Sequence, residues 1–558
     1  MALKKPLEKG KKKVRTYWER LNFVGLVVGL LSFCASLLPS LLPRPWLYQG
    51  LISGLAIVVG YSLGVLASQT YRWLSLPEVP AKYKKILWRV LYVVAPITVI
   101  IFLYKGAQWQ NQVRELVAEQ PQPGTHMVRI LLLAALVFLL VIAAARLIRK
   151  LNAKLRALTG RWLPRRVAFA LSVAVISVLL YWLVSGVLFG AFVDFSNSVY
   201  AGKNATTPPG VSQPTSPYRS GSPESLVPWD TIGYQGKAFV ARGPSQAQLA
   251  AFSGAQPKEQ IRIYAGLDSA ADAKSRAELA VKELERTKAF DRKILIVATA
   301  TGTGWLEPQS VDSLEYMYNG DSAIVSQQYS YLPSWISFLV DKQNATEAGQ
   351  ALFNAVYAKW QTLPEASRPK LVTYGLSLGS FGGQSAFGGA TQLQFLTDGA
   401  LYMGTPSDTA LWRRITANRD AGSPEWQPVY ENGKNIRFAA TNENIVKDTN
   451  TWSAPRALYM QHASDPVVWF SFDLLFNEPD WLKEAPGPDV SPAMRWYPFV
   501  TFFQVTVDQF FGVTVPNGHG HNYGNTIANA WAAVAVPTGW SNEKTTALQE
   551  IIDTYSNE

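Results

Sequence analysis

The sequence has little cysteine, little charge and little histidine, and each shortage limits what the protein can be. Its 558 residues contain one cysteine, which excludes a disulfide framework, a multi-cysteine zinc site and a cysteine redox pair. Charged residues make up 16 %, against roughly 25 % in a typical soluble domain, so a wholly soluble chain is disfavoured. Hydrophobic residues make up 48 %, which excludes a disordered chain. The four histidines leave few candidates for a catalytic base.

The formal net charge of +12 is distributed unevenly along the chain. Residues 1–200 hold 25 Lys and Arg against 6 Asp and Glu, whereas residues 201–558 hold 27 against 34. The basic excess therefore belongs to the first third alone. Because the longer second part is mildly acidic, it has no basic face for a polyanion, and we expect no nucleic-acid partner.

Long apolar stretches dominate the first 200 residues. A helix of about 20 apolar residues spans a hydrocarbon core about 30 Å thick. A buried core helix is the alternative for any single stretch, but several in succession predict an α-helical membrane domain of about five transmembrane helices. The predicted spans are residues 23–42, 47–67, 86–104, 130–145 and 167–193.

Basic residues lie preferentially at alternate ends of these spans. Twenty-one of them precede the first span or lie between the second and third and between the fourth and fifth, whereas the other connections hold only Arg44, Lys105, Arg114 and Arg129. The positive-inside rule then predicts a multi-pass protein of the cell (plasma or inner) membrane, surrounded by membrane lipids, with a cytoplasmic N-terminus. Five crossings leave the remainder of the chain extracytoplasmic. A cleaved signal peptide fits less well, because the first apolar stretch is too long for one.

The second part of the chain has a different pattern. Residues 201–229 are rich in Pro, Ser, Thr and Gly, which predicts an extended linker. Residues 230–558 alternate short apolar runs with helical patterns, which predicts an α/β domain with a mostly parallel sheet. Active residues in such sheets gather beyond the carboxyl ends of the strands. The predicted strands are residues 261–266, 294–300, 322–329, 371–374, 399–403, 436–440 and 456–461.

One strand end carries a candidate nucleophile. Residues 375–379 read GLSLG, a G-x-S-x-G motif with Ser377 at its centre, between an apolar run and a stretch of small residues that suits the start of a helix. A nucleophile elbow requires this order of strand, tight turn and helix, and the glycines keep the turn free of clashes. A glycine-rich turn without catalytic meaning is the alternative.

A serine nucleophile needs a base, and three histidines lie in the second domain: His462, His519 and His521. The last two lie in a glycine-rich segment near the end of the chain, where this fold supplies its base. We favour His519, because Gly-His is the commoner form of the catalytic dipeptide, and keep His521 as the alternative. A metal site at these two histidines is a rival interpretation, but the sequence shows no carboxylate partner for it.

The acid that orients the base is expected after a strand between the serine and the histidines. Asp465 follows the strand predicted at 456–461 and is the first choice. Its alternative role is a helix N-cap, since Pro466 suits the first position of a helix. Asp408, after the preceding strand, is the second choice.

Two backbone N–H groups are expected to form the oxyanion hole. One belongs to Leu378, the residue after the nucleophile, and the other to the loop that contains Gly302 and Thr303. A phosphate-binding loop is the competing interpretation of this TGTG run, but the lysine of a Walker motif and the GxGxxG spacing are both missing.

Taken together, these features resemble the bacterial membrane-anchored α/β-hydrolase family, in which a multi-helix membrane domain precedes an α/β-hydrolase catalytic domain. The resemblance implies that fold and a triad of Ser377, Asp465 and either His519 or His521, and it implies no particular substrate. It rests on Tyr316, on Gly320 with Asp321, and on the segments ATGTGW (300–305), QYSYLPS (328–334), GLSLG (375–379) and GHGHNYG (518–524).

The sequence thus predicts a serine hydrolase that cleaves an ester or related acyl bond of a small-molecule or lipid-like substrate, without cofactor or metal. An acyltransferase that uses the same acyl-enzyme is one alternative. The other is a non-enzymatic transporter or envelope scaffold with an inactive hydrolase domain. The predicted spans contain almost no ionisable residue, which counts against transport.

Overall fold

A computed structural model describes residues 21–123, 126–340, 342–447 and 451–555. Its first part is a bundle of helices. Four of the helices described are long and apolar enough to cross a membrane. These four are α2 to α5, and the last contains a π-helical stretch at Trp182–Leu188. The bundle helices are α1 (Phe23–Ser36), α2 (Trp46–Trp73), α3 (Ala81–Leu116), α4 (Met127–Thr159) and α5 (Arg165–Asn204).

Helix α1 is shorter than the span that the sequence predicts at 23–42. It begins after Asn22, whose side chain accepts a hydrogen bond from the Gly25 N–H, and its 14 residues rise only about 21 Å. The next nine residues contain three prolines, which lack the N–H that a helix interior requires. The N–H groups of Leu41 and Leu42 in this segment make no helical hydrogen bond and donate instead to the carboxylate of Asp508, at 3.1 and 3.4 Å.

The α1–α2 connection joins the bundle to the second domain. Asp508 also accepts the hydroxyl of Ser40, and the buried Arg44 guanidinium lies 3.8 Å from its other oxygen. The start of α4 lies at the same end of the bundle, since the Trp46 and His126 rings are 6.5 Å apart. The second domain therefore packs on the end whose connections are poor in basic residues.

The second domain contains a seven-stranded parallel sheet in the order β1-β3-β2-β4-β5-β7-β6. All seven predicted strands are confirmed, within two residues at either end. The sheet has apolar side chains on both faces, since alternate residues of β2 belong to two separate buried clusters. The strands are β1 (Ile261–Ala265), β2 (Ile294–Thr299), β3 (Ser322–Gln327), β4 (Lys370–Leu376), β5 (Gly399–Met403), β6 (Ile436–Ala439) and β7 (Arg456–Met460).

Helices cover both faces of this sheet, as the α/β pattern predicts. They are α6 (Tyr234–Ala241), α7 (Gln246–Ser253), α8 (Ala273–Arg286), α9 (Pro308–Met317), α10 (Ser334–Val340), α11 (Lys342–Trp360), α12 (Leu378–Gln384), α13 (Ala390–Leu396), α14 (Ala410–Ala417), α15 (Asn442–Val446), α16 (Pro466–Trp469), α17 (Asp480–Lys483), α18 (Val500–Asp508), α19 (Ile527–Val534) and α20 (Asn542–Ile552).

The segment after α5 differs from the extended linker that its composition predicts. The Ser220 N–H bonds to the carbonyl of Arg262 in β1 at 3.0 Å, and the Leu226 N–H bonds to the carboxylate of Glu283 at 2.6 Å. Val227 is fully buried. The segment is therefore packed against the edge of the sheet, because its backbone polar groups find partners there.

Candidate active site

Ser377 lies in a strained turn between β4 and α12. Its backbone has φ +57° and ψ −125°, a region that non-glycine residues rarely adopt. The structure confirms the predicted order of strand, turn and helix. The Ser377 N–H donates to the carbonyl of Met403, at the end of β5, at 2.9 Å, so the neighbouring strand holds the turn in place. Backbone strain of this kind is typical of functional sites and must be balanced by the surrounding structure.

The two glycines of the motif allow the close approach that the turn requires. A Cβ atom on Gly375 would lie 2.5 Å from the carbonyl oxygen of Gly379, and one on Gly379 would lie 2.2 Å from the carbonyl oxygen of Thr299. Both neighbours are backbone atoms, which cannot move aside as a flexible side chain does. The glycines are therefore required by geometry.

A methyl group at Gly379 should consequently destabilise the turn. We expect Gly379→Ala to lower the free energy of unfolding by about 1–3 kcal/mol, because the overpacked Cβ displaces the end of β2. Thermal unfolding of the detergent-solubilised protein measures this effect. Gly389→Ala is the matched control, since its Cβ would be 3.6 Å from its nearest neighbour and its backbone is extended. Equal transitions for both variants would contradict the steric argument.

Asp465 lies at the carboxyl end of β7 and pairs with His521. Its Oδ2 is 2.7 Å from His521 Nδ1 and accepts the hydroxyl of Tyr523 at 2.6 Å. Its Oδ1 accepts the Val467 N–H at 2.8 Å, so the N-cap role holds as well. Asp465 is fully buried. Burial and the nearby Asp465 charge raise the pKa of Tyr523 well above its ordinary value, so Tyr523 remains a donor to the carboxylate.

His521 lies beside the nucleophile turn. Gly404, which follows Met403, faces the imidazole so closely that a Cβ there would be 2.3 Å from its Cε1 atom. Ser377 bonds to Met403, so the serine turn and the imidazole share the carboxyl end of β5. The Nε2 atom of His521 is buried and bonds to no other residue in the described part of the chain. This nitrogen is the one left for a reacting group, because Nδ1 is held by Asp465.

His519 lies in a different pair from the one that the sequence favours. Its Nδ1 is 3.8 Å from Asp489, whose carboxylate also accepts the hydroxyl of Ser464 at 2.5 Å. Burial would raise the pKa of Asp489, but the nearby imidazoles of His519 and His462 and the hydrogen bond from Ser464 outweigh it and lower that pKa. The geometry thus assigns the Asp465 contact to His521 and not to the favoured His519. The Gly-His dipeptide does not distinguish the two, because Gly520 precedes His521 as Gly518 precedes His519. Asp408, the second choice for the acid, instead forms an ion pair with Lys342 at 3.0 Å.

The candidate oxyanion donors belong to the start of α12 and to the loop after β2, which lie side by side. Leu378 opens α12 and is buried, and the contact between Gly379 and the Thr299 carbonyl places this helix beside the loop after β2. The Gly302 N–H is directed at the hydroxyl of Ser334 at 3.4 Å. Thr303 lies in the turn that the Gly304 N–H closes onto the Thr301 carbonyl at 2.9 Å.

Three further residues belong to this cluster, and sequence reasoning missed their roles. Tyr523 binds the acid. Ser464 accepts the Gly520 N–H at 2.8 Å. His462 is stacked on Tyr523 at 4.3 Å, with its Nδ1 2.8 Å from the Gly520 carbonyl, and burial lowers its pKa so that the ring is neutral. The sequence signal available for Tyr523 was its place in the segment GHGHNYG, two residues after His521.

The candidate site is nearly closed to solvent. Ser377 is 6 % exposed and His521 is 8 % exposed. A cavity of about 370 Å³ lies between the bundle and residues 511–515, but none of the candidate catalytic residues lines it. Among the described residues, no group of three or more His, Cys, Asp or Glu side chains is arranged to hold a metal ion.

Two family models match the chain. Residues 261–548 match the model described as alpha/beta-hydrolase family, and residues 37–244 match the one described as alpha/beta-hydrolase family N-terminus. The first match includes the sheet and every residue of the candidate site. The second includes the four long apolar helices. No curated protein and no solved structure matches the chain.

Proposed function

Because the chain belongs to the alpha/beta-hydrolase family, we propose that it is a membrane-anchored serine hydrolase acting on an ester or related acyl bond. One observation carries the proposal: the buried Asp465–His521 pair lies beside the strained turn that presents Ser377. An acid, an imidazole and a serine at neighbouring strand ends form the arrangement that activates a hydroxyl for acyl chemistry. The family alone supports only hydrolase chemistry in general.

In this proposal Ser377 Oγ attacks the acyl carbonyl, and its proton passes to Nε2 of His521. Asp465 holds the imidazole through Nδ1 and stabilises the positive charge that develops on it. The N–H groups of Leu378 and of the loop at Gly302 and Thr303 stabilise the oxyanion. His521 then returns the proton to the departing alkoxide, which leaves as an alcohol. Water, deprotonated by His521, attacks the acyl-enzyme, the acid is released, and His521 returns the proton to Ser377 Oγ.

The experiment that tests this proposal is to trap the acyl-enzyme. The detergent-solubilised protein is mixed with chromogenic esters of increasing acyl length, quenched, digested and analysed by mass spectrometry. We expect the acyl mass on the peptide that contains Ser377, together with release of the free acid. Preferential transfer to an added alcohol would indicate an acyltransferase. A folded protein that forms no adduct and turns over no ester would favour the scaffold alternative.

We also propose that the catalytic domain faces away from the cytoplasm. It packs on the end of the bundle that carries few basic residues, and the positive-inside rule assigns that end to the outside.

Residues exposed in the structure allow a direct test of this topology. In a Cys34→Ala background, cysteine replaces either Phe395, 82 % exposed in the catalytic domain, or Trp162, 88 % exposed between α4 and α5. We expect a membrane-impermeant maleimide to label Phe395→Cys in intact spheroplasts and Trp162→Cys only after lysis. The opposite order would place the catalytic domain in the cytoplasm.

A further inference from the structure

The segment between the candidate acid and the candidate base carries an exposed apolar surface. Phe472 is 58 % exposed and Phe476 is 66 % exposed. Their rings pack on a second pair from the start of α18, with Phe472 5.6 Å from Phe502 and Phe476 5.2 Å from Phe499. Together with Phe503, 5.9 Å from Phe502, these residues form one surface, here called the aromatic face.

Helix α18 runs alongside the membrane bundle. Its residues 500, 504 and 508 follow the spacing of one helix face. Val500 packs in a buried cluster with Ala35 and Ala56. Gln504 donates to the carbonyls of Ser36 and Leu38 at 3.2 and 3.1 Å, and Asp508 binds residues 40–42. Phe502 lies on the opposite side of the helix from this set and Phe503 lies on its flank, so Phe502 and the rings packed on it lie away from the bundle contact.

The contact with Ala56 places the start of α18 well below the end of the bundle. Ala56 is ten residues after Trp46, the first residue of α2, which corresponds to about 15 Å along the helix axis. Helix α1 rises only about 21 Å, short of the roughly 30 Å of a hydrocarbon core. Helix α18 therefore packs on the level at which α1 ends.

The environment at this depth is apolar. Leu47, Leu51 and Leu55 form a stripe on α2 over the same ten residues, and each is about 40 % exposed: 43 %, 38 % and 39 %. Leucines exposed along a membrane-spanning helix contact lipid chains. The aromatic face, at the same level, meets the same surroundings. Asp473 and Glu478 are exposed next to the aromatic face. Their charges limit how deeply the face enters the bilayer and favour a position at the boundary of headgroups and acyl chains.

A row of aromatic rings connects this face with the nucleophile turn. Phe381, in the first turn of α12, donates its N–H to the Ser377 carbonyl and is 6.4 Å from the ring of Phe338. Phe338 is 6.2 Å from Phe470, which is in turn 5.6 Å from Phe472. These rings form a continuous apolar path of contacts between the aromatic face and the turn that holds Ser377.

We propose that the aromatic face is immersed in the lipid bilayer, and that it delivers the acyl chain of a membrane-resident lipid ester to Ser377. The immersion depends on the packing of α18 against the bundle and on the bundle spanning the membrane, and not on the chemistry at Ser377. The delivery rests on the proposed function, since it assigns a substrate class to the same serine.

Immersion is tested by a label that reports its surroundings. Single cysteines at Phe476 and Phe395, in the Cys34→Ala background, are labelled with an environment-sensitive fluorophore, and the full-length protein is placed in phosphatidylglycerol–phosphatidylethanolamine nanodiscs. We expect a blue-shifted emission at residue 476, quenched by lipids that carry a nitroxide on the acyl chain. Residue 395 is the control, because it also replaces an exposed phenylalanine but lies elsewhere on the domain. Its label should give an aqueous emission without quenching. Aqueous emission at both positions would overturn the immersion.

Delivery is tested by comparing two esters in the same nanodiscs. The double variant Phe472→Ser/Phe476→Ser should lose at least about tenfold more kcat/KM on a long-chain lipid ester embedded in the bilayer than on a short, water-soluble ester, because it lacks the apolar surface that contacts the acyl chain. Phe395→Ser should lose neither activity. Equal losses on both esters would overturn the delivery role. Failure of the wild-type protein on every ester would overturn the proposed function, and hence the delivery, while the fluorescence result would still decide the immersion.

Discussion

Ser377→Ala is expected to abolish labelling of the protein by a fluorophosphonate probe and to lower kcat on any ester substrate by about 10⁴-fold or more. The probe reacts only with a serine hydroxyl that a base has activated, and the alanine removes the attacking oxygen while leaving the turn nearly unchanged in volume. Labelling followed by in-gel fluorescence measures the first effect. Initial rates on a chromogenic ester measure the second.

Ser385→Ala is the matched control for this substitution. Ser385 lies at the end of α12 and donates its hydroxyl to the carbonyls of Gly382 and Thr346, so it belongs to the same helix but not to the strained turn. We expect this variant to label at the wild-type rate. Labelling that persists in Ser377→Ala would assign the activated hydroxyl to another residue. A folded wild-type protein that takes no label would contradict an active triad.

The strands and the elbow were predictable because local sequence determines them. Short continuous apolar runs such as 294–300 are typical of strands buried on both faces, and glycines flanking a serine after such a run fit a tight turn. The position of Asp465 at a strand end could also be predicted, because the apolar run before it and Pro466 after it are local features of the sequence. These predictions use at most ten neighbouring residues.

What sequence reasoning could not supply depends on long-range contacts. His519 and His521 are two residues apart in a glycine-rich loop, and only the contacts of Asp465 and Asp489, 56 and 30 residues earlier in the chain, distinguish them. The end of α1 at Ser36 has a partly long-range origin. The prolines after Ser36 are visible in the sequence, but the buried carboxylate of Asp508, more than 460 residues away, binds the N–H groups of Leu41 and Leu42. A short sequence window does not contain these long-range contacts.

The second large effect concerns the base. We expect His521→Ala to lower kcat and the rate of fluorophosphonate labelling by about 10³-fold or more, because no other group accepts the serine proton once the Nε2 atom is removed. Asp465→Asn should approach the same loss, since it removes the carboxylate that holds Nδ1 at 2.7 Å and stabilises the imidazolium. Both rates are measured on the full-length protein in detergent, with thermal unfolding as the check on folding.

His519→Ala is the matched control, because it removes an imidazole from the same loop but from the pair with Asp489. Its side chain is 24 % exposed and its contact is 3.8 Å long, so we expect a loss of less than about tenfold in kcat. The reverse ranking of the two histidines would make His519 the base and Asp489 its acid, against the geometry. Small, equal losses in both variants would contradict a histidine-dependent mechanism altogether. We expect a large loss in His521→Ala alone, because the buried Nε2 of His521 bonds to no other group among the described residues and is left for the reacting serine.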